Sequence, residues 1–181
     1  NITDEGLIHI PNIKCLKLKN NKHITDQGLI HIRNIKHLDL SDNNNITNEG
    51  LIHISNIEGL GLKHNENITN EGLKNIPNIE YLSLKYNENI TSEGLIHIPN
   101  VKKLKLNSIT DEGLSCIPNV KKLRLYNNYI TNQGLRYIPN LEYLSITNEQ
   151  EIYTNTNIIT DQGLKHIPNI KFLNLHCKNI F

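Results

Sequence analysis

A six-residue step, Ile-Thr-x-[Glu/Gln]-Gly-Leu, occurs eight times along the 181 residues of this chain. Its glycines are Gly6, Gly28, Gly50, Gly72, Gly94, Gly113, Gly134 and Gly163. Four intervals of 22 residues are followed by intervals of 19, 21 and 29 residues. A copy this short cannot bury a core of its own, so the chain must fold by stacking copies of one small unit. We number the units 1 to 8 by these glycines.

Each unit carries two different periodicities. The Leu-x-Leu step, first seen at Leu16 and Leu18, alternates apolar and polar residues and predicts a short strand with one buried face. The segment from Thr3 onward predicts a short helix, with Thr3 as the N-cap and Asp4 placed where its charge suits the helix dipole. Pro11 prevents the helix from continuing. The repeated glycine is interpreted as allowing close packing of neighbouring helices.

Stacked in parallel, eight such units bury a continuous column of Ile and Leu side chains and pair their strands into one sheet. The Asn after each Leu-x-Leu-x-x step is expected to stack along the bend and to bond backbone groups that the turn leaves unpaired. These ladder residues are Asn21, Asn43, Asn65, Asn87 and Asn128. The core accounts for the 29 Ile and 24 Leu, and the ladder accounts for part of the 30 Asn.

The step Leu-x-Leu-x-x-Asn, closed by a short helix, resembles the leucine-rich repeat family over the whole chain. Its Ile-Thr-Asp-x-Gly-Leu portion is most similar to the repeat subtype of F-box/leucine-rich repeat proteins, the substrate receptors of ubiquitin ligases. The resemblance implies an α/β solenoid, a curved right-handed superhelix with a parallel sheet on the concave face and short helices on the convex face. That subtype usually has Cys where this chain has Asn in the turn, and no F-box is visible in these residues. We expect one leucine-rich repeat domain of eight repeats over residues 1–181, with an N-terminal cap or partner domain missing.

No motif of catalysis or cofactor binding is present, neither a phosphate-binding loop nor a nucleophile elbow nor a paired Cys/His metal motif. Five histidines occupy the same position of their units and are joined by no carboxylates, so we interpret them as duplicated surface residues: His9, His31, His53, His97 and His166. We therefore predict that the chain is not an enzyme and has no catalytic residue, no cofactor and no metal.

Charge and composition restrict the partners and the compartment. The formal net charge of +1, from 19 basic and 18 acidic residues, argues against a generally basic nucleic-acid binder. No apolar run approaches the roughly 18 residues of a membrane span. The three widely spaced cysteines favour free thiols and an intracellular, cytoplasmic location. The absence of Ala beside many Asn, Ile and Lys resembles proteins of AT-rich genomes, such as amoebae and their giant viruses, and a viral origin would mean the host cytoplasm.

Departures from the repeat are where specificity can reside. Unit 5 is three residues shorter and has no ladder Asn, so we expect a tighter bend and a local kink. Unit 7 gains residues around Asn148–Asn157, which is either a tolerated surface insertion or an acidic contact loop. Gly59 and Gly61 leave one strand nearly bare on its exposed face, through drift or for close approach of a partner's backbone.

Exposed positions of the strands alternate with the buried Leu residues and point to the concave surface. From unit 4 to unit 7 they gather basic and aromatic residues, the composition of binding hot spots. The predicted partner-binding residues are Tyr81, Lys85, Lys103, Lys105, Lys122, Arg124, Tyr126 and Tyr143. The competing interpretation is a solvated sheet face that is rich in Lys through genome bias.

These observations favour a protein–protein interaction module that binds a protein partner on its concave face. The family resemblance narrows this to the substrate-recognition part of an F-box-type ubiquitin ligase receptor, which would reach ubiquitin ligase subunits through a missing N-terminal domain. The alternatives are binding of an anionic ligand or nucleic acid by the basic patch, which the net charge makes less favourable, and a structural or inhibitor scaffold.

Overall fold

The computed structural model describes residues 2–107, 109–126, 130–147 and 159–176. Each unit contributes one strand: Cys15–Lys17 (β1), His37–Asp39 (β2), Gly59–Gly61 (β3), Tyr81–Ser83 (β4), Lys103–Asn107 (β5), Lys122–Tyr126 (β6), Tyr143–Thr147 (β7) and Phe172–His176 (β8). Neighbouring strands pair in parallel and in chain order from β1 to β8. The sheet therefore grows by one strand per unit, which confirms the predicted parallel stack.

A single helical turn follows the Thr of each unit. The helices are Asp4–Leu7 (α1), Asp26–Leu29 (α2), Asn48–Ile52 (α3), Asn70–Leu73 (α4), Asp111–Ser115 (α5), Asn132–Leu135 (α6) and Asp161–Leu164 (α7), with 3₁₀ segments at Ile30–Ile32 and Ser92–His97. They are shorter than the repeat predicted. Thr3 occupies the N-cap position as expected, but its side chain makes no capping bond. In unit 2 the Thr25 hydroxyl accepts a hydrogen bond from the Gln27 N–H at 3.2 Å.

The core is one apolar cluster that runs through all eight units between the sheet and the helices. Unit 2 is typical, since Leu29, Ile32, Ile35 and Leu40 are all fully buried. Burying a side chain of this size contributes about 1.5–3 kcal/mol, so units that share such a column stabilise each other. The opposite face of the sheet, which points away from the helices, is called the open face below.

A second set of contacts joins each helix to the next. The side chain of Asp26, the first residue of α2, accepts hydrogen bonds from the N–H of Thr47 at 2.9 Å and from its hydroxyl at 2.7 Å. Asn48 repeats the arrangement one unit later, where its oxygen accepts from the Thr69 N–H at 3.0 Å and its amide donates to the Thr69 hydroxyl. We call this series, which starts at Asp4 and ends at Asn132, the Thr ladder.

The Thr ladder explains why the repeat needs glycine. A Cβ at Gly50 would overlap Oδ1 of Asp26, and a Cβ at Gly72 would overlap the side-chain oxygen of Asn48. The glycine is therefore required by an oxygen of the preceding unit, which is a narrower reason than the close helix packing inferred from the sequence.

The predicted Asn ladder is present in the first half of the stack. Asn65 is fully buried, and its amide donates to the carbonyls of Asn43 and Ile46, both at 2.9 Å. Its oxygen accepts from the N–H groups of Asn67 at 2.9 Å and Ile68 at 3.1 Å. The side chain thus satisfies four backbone groups that the turn leaves without partners. Asn128, the fifth predicted ladder residue, lies outside the described residues.

The turn changes between unit 4 and unit 5. Strands β1 to β4 have three residues and strands β5 to β8 have five. Before the ladder Asn of units 1 to 4, one residue has a left-handed backbone, namely Asn20, Asp42, His64 and Tyr86. Unit 5 continues its strand through Asn107, whose oxygen accepts from the Tyr86 N–H at 3.1 Å. Strand pairing is unbroken across unit 5; its bend includes residue 108, outside the described residues, so the local kink remains a prediction.

Replacing Gly50 by Ala should destabilise the fold by about 1–3 kcal/mol, because the added methyl group displaces the Asp26 carboxylate from Thr47. Urea unfolding followed by circular dichroism measures the change. Gly59→Ala is the matched control, since its Cβ meets only the imidazole of the exposed His37, which can rotate away. In an Asp26→Ala background the Gly50 substitution should cost less. An equal cost in both backgrounds would contradict the Thr ladder as the reason for the glycine.

Replacing Asn65 by Ala should lower the free energy of unfolding by about 1–3 kcal/mol, because buried carbonyl and N–H groups lose their partners. Asn56→Ala is the control, since this Asn is exposed, and its effect should stay within about 0.5 kcal/mol. The two unfolding curves are compared by circular dichroism. Similar losses for the two variants would show that the buried ladder has no special part in stability.

Candidate functional site

The strand register places the side chains of the open face in two rows that cross the sheet. The first row contains Cys15, His37, Gly59, Tyr81, Lys103, Lys122, Tyr143 and Phe172. The second row contains Lys17, Asp39, Gly61, Ser83, Lys105, Arg124, Ser145 and Asn174. Both rows are those that the repeat predicts, because an error of one residue in register would turn every side chain to the other face.

A hollow of about 290 Å³ lies on the open face over β4 to β7. Its lining consists of Tyr81, Lys103, Leu104, Lys105, Lys122, Leu123, Arg124 and Tyr143. We call it the basic hollow. Six of the eight residues that the sequence predicts for partner binding line it, with a tyrosine at each side and four cations between.

The four cations form a square. Lys103 is in register with Lys122, and Lys105 is in register with Arg124. Adjacent strands lie about 4.8 Å apart, and alternate residues of one strand about 6.6 Å apart. Like charges placed opposite each other on neighbouring strands are destabilising. The cation square therefore destabilises the fold locally. Its four side chains lie on the open face, so they gain no compensating stability from burial in the core.

Two members of the square are oriented by the tyrosines. The Arg124 Nη2 donates a hydrogen bond to the Tyr143 hydroxyl at 2.5 Å, and its guanidinium carbon lies 5.6 Å from the ring centroid. The hydrogen bond to Tyr143 raises the pKa of the Arg124 guanidinium. Lys105 lies 5.8 Å from the ring centroid of Tyr81. Neither Lys103 nor Lys122 forms an ion pair with any described residue.

Two carboxylates of these units lie in the row just before the strands. Glu80 pairs with Lys102 at 2.5 Å, and Glu142 pairs with Lys171 at 2.9 Å. The hydrogen bond from Lys171 lowers the pKa of the Glu142 carboxyl, so this acid stays ionised and engaged at the edge. These pairs line a separate polar groove of about 890 Å³ with a column of asparagines. Among the open-face positions that the structure describes in β4 to β8, none is Asp or Glu.

Lys85 and Tyr126, the other two predicted residues, lie outside the basic hollow. The Lys85 ammonium lies 3.9 Å from the ring centroid of Tyr126 and 4.4 Å from that of Tyr86. Tyr126 is only 8% exposed, so little of its ring is accessible, and its part in partner binding stays a prediction. The sequence did not single out Tyr86, because its left-handed backbone (φ 63°) is a property of the turn that the repeat pattern does not reveal.

A second hollow, of about 390 Å³, lies over β1 to β4 on the other side of Tyr81. Gly59 and Gly61 line it, and the side chains of His37 and Asp39 lean over them from the neighbouring strand. We call it the glycine hollow. The strand that the two glycines leave without side chains thus lies in the glycine hollow. Tyr81 separates this neutral part of the open face from the basic hollow.

The residues that the structure describes contain no group of three or more His, Cys, Asp or Glu side chains placed to hold a metal ion. None of their helices is long and apolar enough to cross a membrane. The insertion at Asn148–Asn157, a candidate contact loop, lies outside the described residues.

Comparison with known proteins gives the same architecture. The Leucine Rich repeat family profile matches residues 9–32, 31–55, 75–98 and 103–117, a little under half of the chain. Among solved structures, internalin inlF of Listeria monocytogenes str. 4b F2365 has a TM-score of 0.70 at 19% identity, over 96% of this chain and 51% of the internalin. The chain folds as a leucine-rich repeat solenoid.

Two other solved leucine-rich structures show the same fold. Internalin C2 of the same Listeria strain has a TM-score of 0.65 at 20% identity, over 96% of this chain and 84% of that one. The TLR13-ssRNA13 complex has a TM-score of 0.68 at 18% identity over 96% of this chain, which spans only 27% of the length of that chain. A comparison with curated protein sequences gives no match.

Leucine-rich repeats are generally protein-binding scaffolds and are typically not enzymes. The matches are to leucine-rich repeats in general and do not single out the F-box subtype.

Proposed function

We propose that this leucine-rich repeat chain is a protein-binding module and that the basic hollow is the centre of its binding surface. The observation that carries the proposal is the cation square, four positive side chains on the open face with no carboxylate among the described positions around them. A fold under selection for stability alone has no reason to place like charges opposite each other.

The side chains around the square support a protein partner. Tyr81 and Tyr143 offer large apolar rings with a polar tip, and Arg124 offers a planar donor, which are the residue types that dominate binding hot spots. The half-buried Tyr143 ring stacks on Phe172 at 4.4 Å, with the two planes 5° apart. A ring held in this way loses little conformational entropy when a partner covers it.

A narrower form of the proposal makes the chain the substrate-recognition part of an F-box-type ubiquitin ligase receptor. Its support is the resemblance of the Ile-Thr-Asp-x-Gly-Leu step to that subtype. In this form the full-length gene product brings down ubiquitin ligase subunits together with the substrate, while residues 1–181 bring down the substrate alone. If the full-length gene product also captures no ligase subunits, the ubiquitin ligase role is rejected and the general protein-binding proposal stands.

Charge reversal of Lys103, Lys122 and Arg124 to Glu should reduce capture of the partner from a cell lysate at least tenfold, because the hollow then repels what it bound. Captured proteins are quantified by mass spectrometry with the chain immobilised.

The matched control carries the same change in net charge away from the open face, as Lys22→Glu, Lys121→Glu and Lys165→Glu at exposed positions. Circular dichroism checks that both triple variants are folded. Equal capture by the two variants would reject the basic hollow as the binding surface, whatever protein is captured.

A further inference from the structure

We propose that the cation square takes an acidic segment of the partner in extended conformation, with carboxylates on alternate residues. This inference rests on the proposed function of the basic hollow and adds the chemistry of what enters it.

Charge complementarity is the first argument. Four cations stand within one hollow, and Lys103 and Lys122 have no ion pair with any described residue. The nearby acids Glu80 and Glu142 form their ion pairs with lysines at the edge, and Glu142 interacts with Lys122 only as a minor cause of its lowered pKa, without an ion pair. The positive charge of the cation square is therefore available to a ligand. A single carboxylate would neutralise only one of the four positive charges. The occupant therefore carries at least two negative groups close together.

Spacing is the second argument. Side chains on one face of an extended chain repeat about every 6.6 Å. The step from Lys103 to Lys105 along β5, and from Lys122 to Arg124 along β6, is the same two-residue step. If an extended segment runs along these strands, its carboxylates at positions i and i+2 have the same spacing as the two rows of the square. One carboxylate then lies over Lys103 and Lys122, and the other over Lys105 and Arg124. The tyrosines lie three strand intervals apart, roughly 14 Å, which leaves room for one extended chain between them.

The ring faces that border the hollow argue against single-stranded nucleic acid, which needs open rings for base stacking. Arg124 lies against the Tyr143 ring, and Phe172 stacks on the same ring from the neighbouring strand. Lys105 lies over the Tyr81 ring. Groups of the chain itself therefore lie against these ring faces, which disfavours base stacking, while the accessible part of each half-buried Tyr and the four cations remain for a protein ligand.

The experiment uses fluorescein-labelled peptides that differ only in the arrangement of charge. The alternating peptide is Ser-Glu-Ser-Glu-Ser-Glu-Ser, and the blocked peptide is Ser-Glu-Glu-Ser-Ser-Glu-Ser, which has the same three Glu but no two of them at i and i+2. The neutral peptide has Gln at each Glu of the first. A peptide with one phosphoserine among serines and a ten-residue uridine RNA complete the set. Anisotropy titrations at about 50 mM salt give the Kd values, and backbone amide NMR shifts locate the site.

We expect the alternating peptide to bind at least fivefold more tightly than the blocked peptide and to shift amides of residues 103–105 and 122–124. The variant Lys105→Gln/Arg124→Gln should lose about tenfold in affinity for it. The control Lys22→Gln/Lys121→Gln, with the same change in charge off the open face, should lose less than twofold, and equal losses would overturn the inference.

Equal binding of the alternating and blocked peptides would overturn the extended geometry. Tighter binding of the phosphoserine peptide or of the RNA would overturn the carboxylate assignment. Amide shifts confined to other units would overturn the site itself. If the triple charge reversal abolishes partner capture while none of the peptides binds, this inference fails and the proposed protein-binding function stands. If capture is unchanged, the proposed function fails.

Discussion

The contact on which the rest of this structure depends is the hydrogen bond pair between the first helical residue of one unit and the Thr of the next. The carboxylate of Asp26 satisfies both the backbone N–H and the hydroxyl of Thr47. A bidentate, charge-assisted contact of this kind fixes direction as well as distance. Because each helix has only one turn, it has little stability of its own. Its position comes from this link and from the shared apolar column.

The contacts that hold the units together lie in the helices, the turns and the core. The side chains of the open face can therefore vary from unit to unit. The Thr ladder, the Asn ladder and the buried Leu positions together use most of the repeated residues of a unit. Alternate positions of the strands contribute to none of these contacts, so they can vary without loss of the stack. This is why a chain that repeats one motif eight times can still present a glycine hollow and a basic hollow on one face, with Tyr81 between them.

Much of this arrangement could be predicted because one period determines the strands, the register and both open-face rows. The features that could not be predicted from the sequence depend on contacts with atoms of other units. The reason for Gly50 is an oxygen of Asp26, and the buried Tyr126 lies against Lys85 of a unit two places earlier in the stack. The cage that Tyr86 forms with Tyr126 around Lys85 depends on a left-handed turn residue, which a bulky side chain rarely occupies. Composition carries no signal for any of these.

The distribution of charge distinguishes the two interpretations of the lysine-rich face. A genome bias toward Lys would raise the number of cations on every surface of the protein. We would then expect the lysines of each surface to be paired with carboxylates to a similar extent. In the row before the strands, Glu58, Glu80 and Glu142 each pair with a lysine of an adjacent unit, so three of the five lysines in that row meet a carboxylate of the molecule itself. Three residues further along the chain, Lys105 and Arg124 stand side by side without an acid at the described open-face positions of β4 to β8. Bias in composition does not account for this difference, whereas a requirement to meet negative charge from outside does.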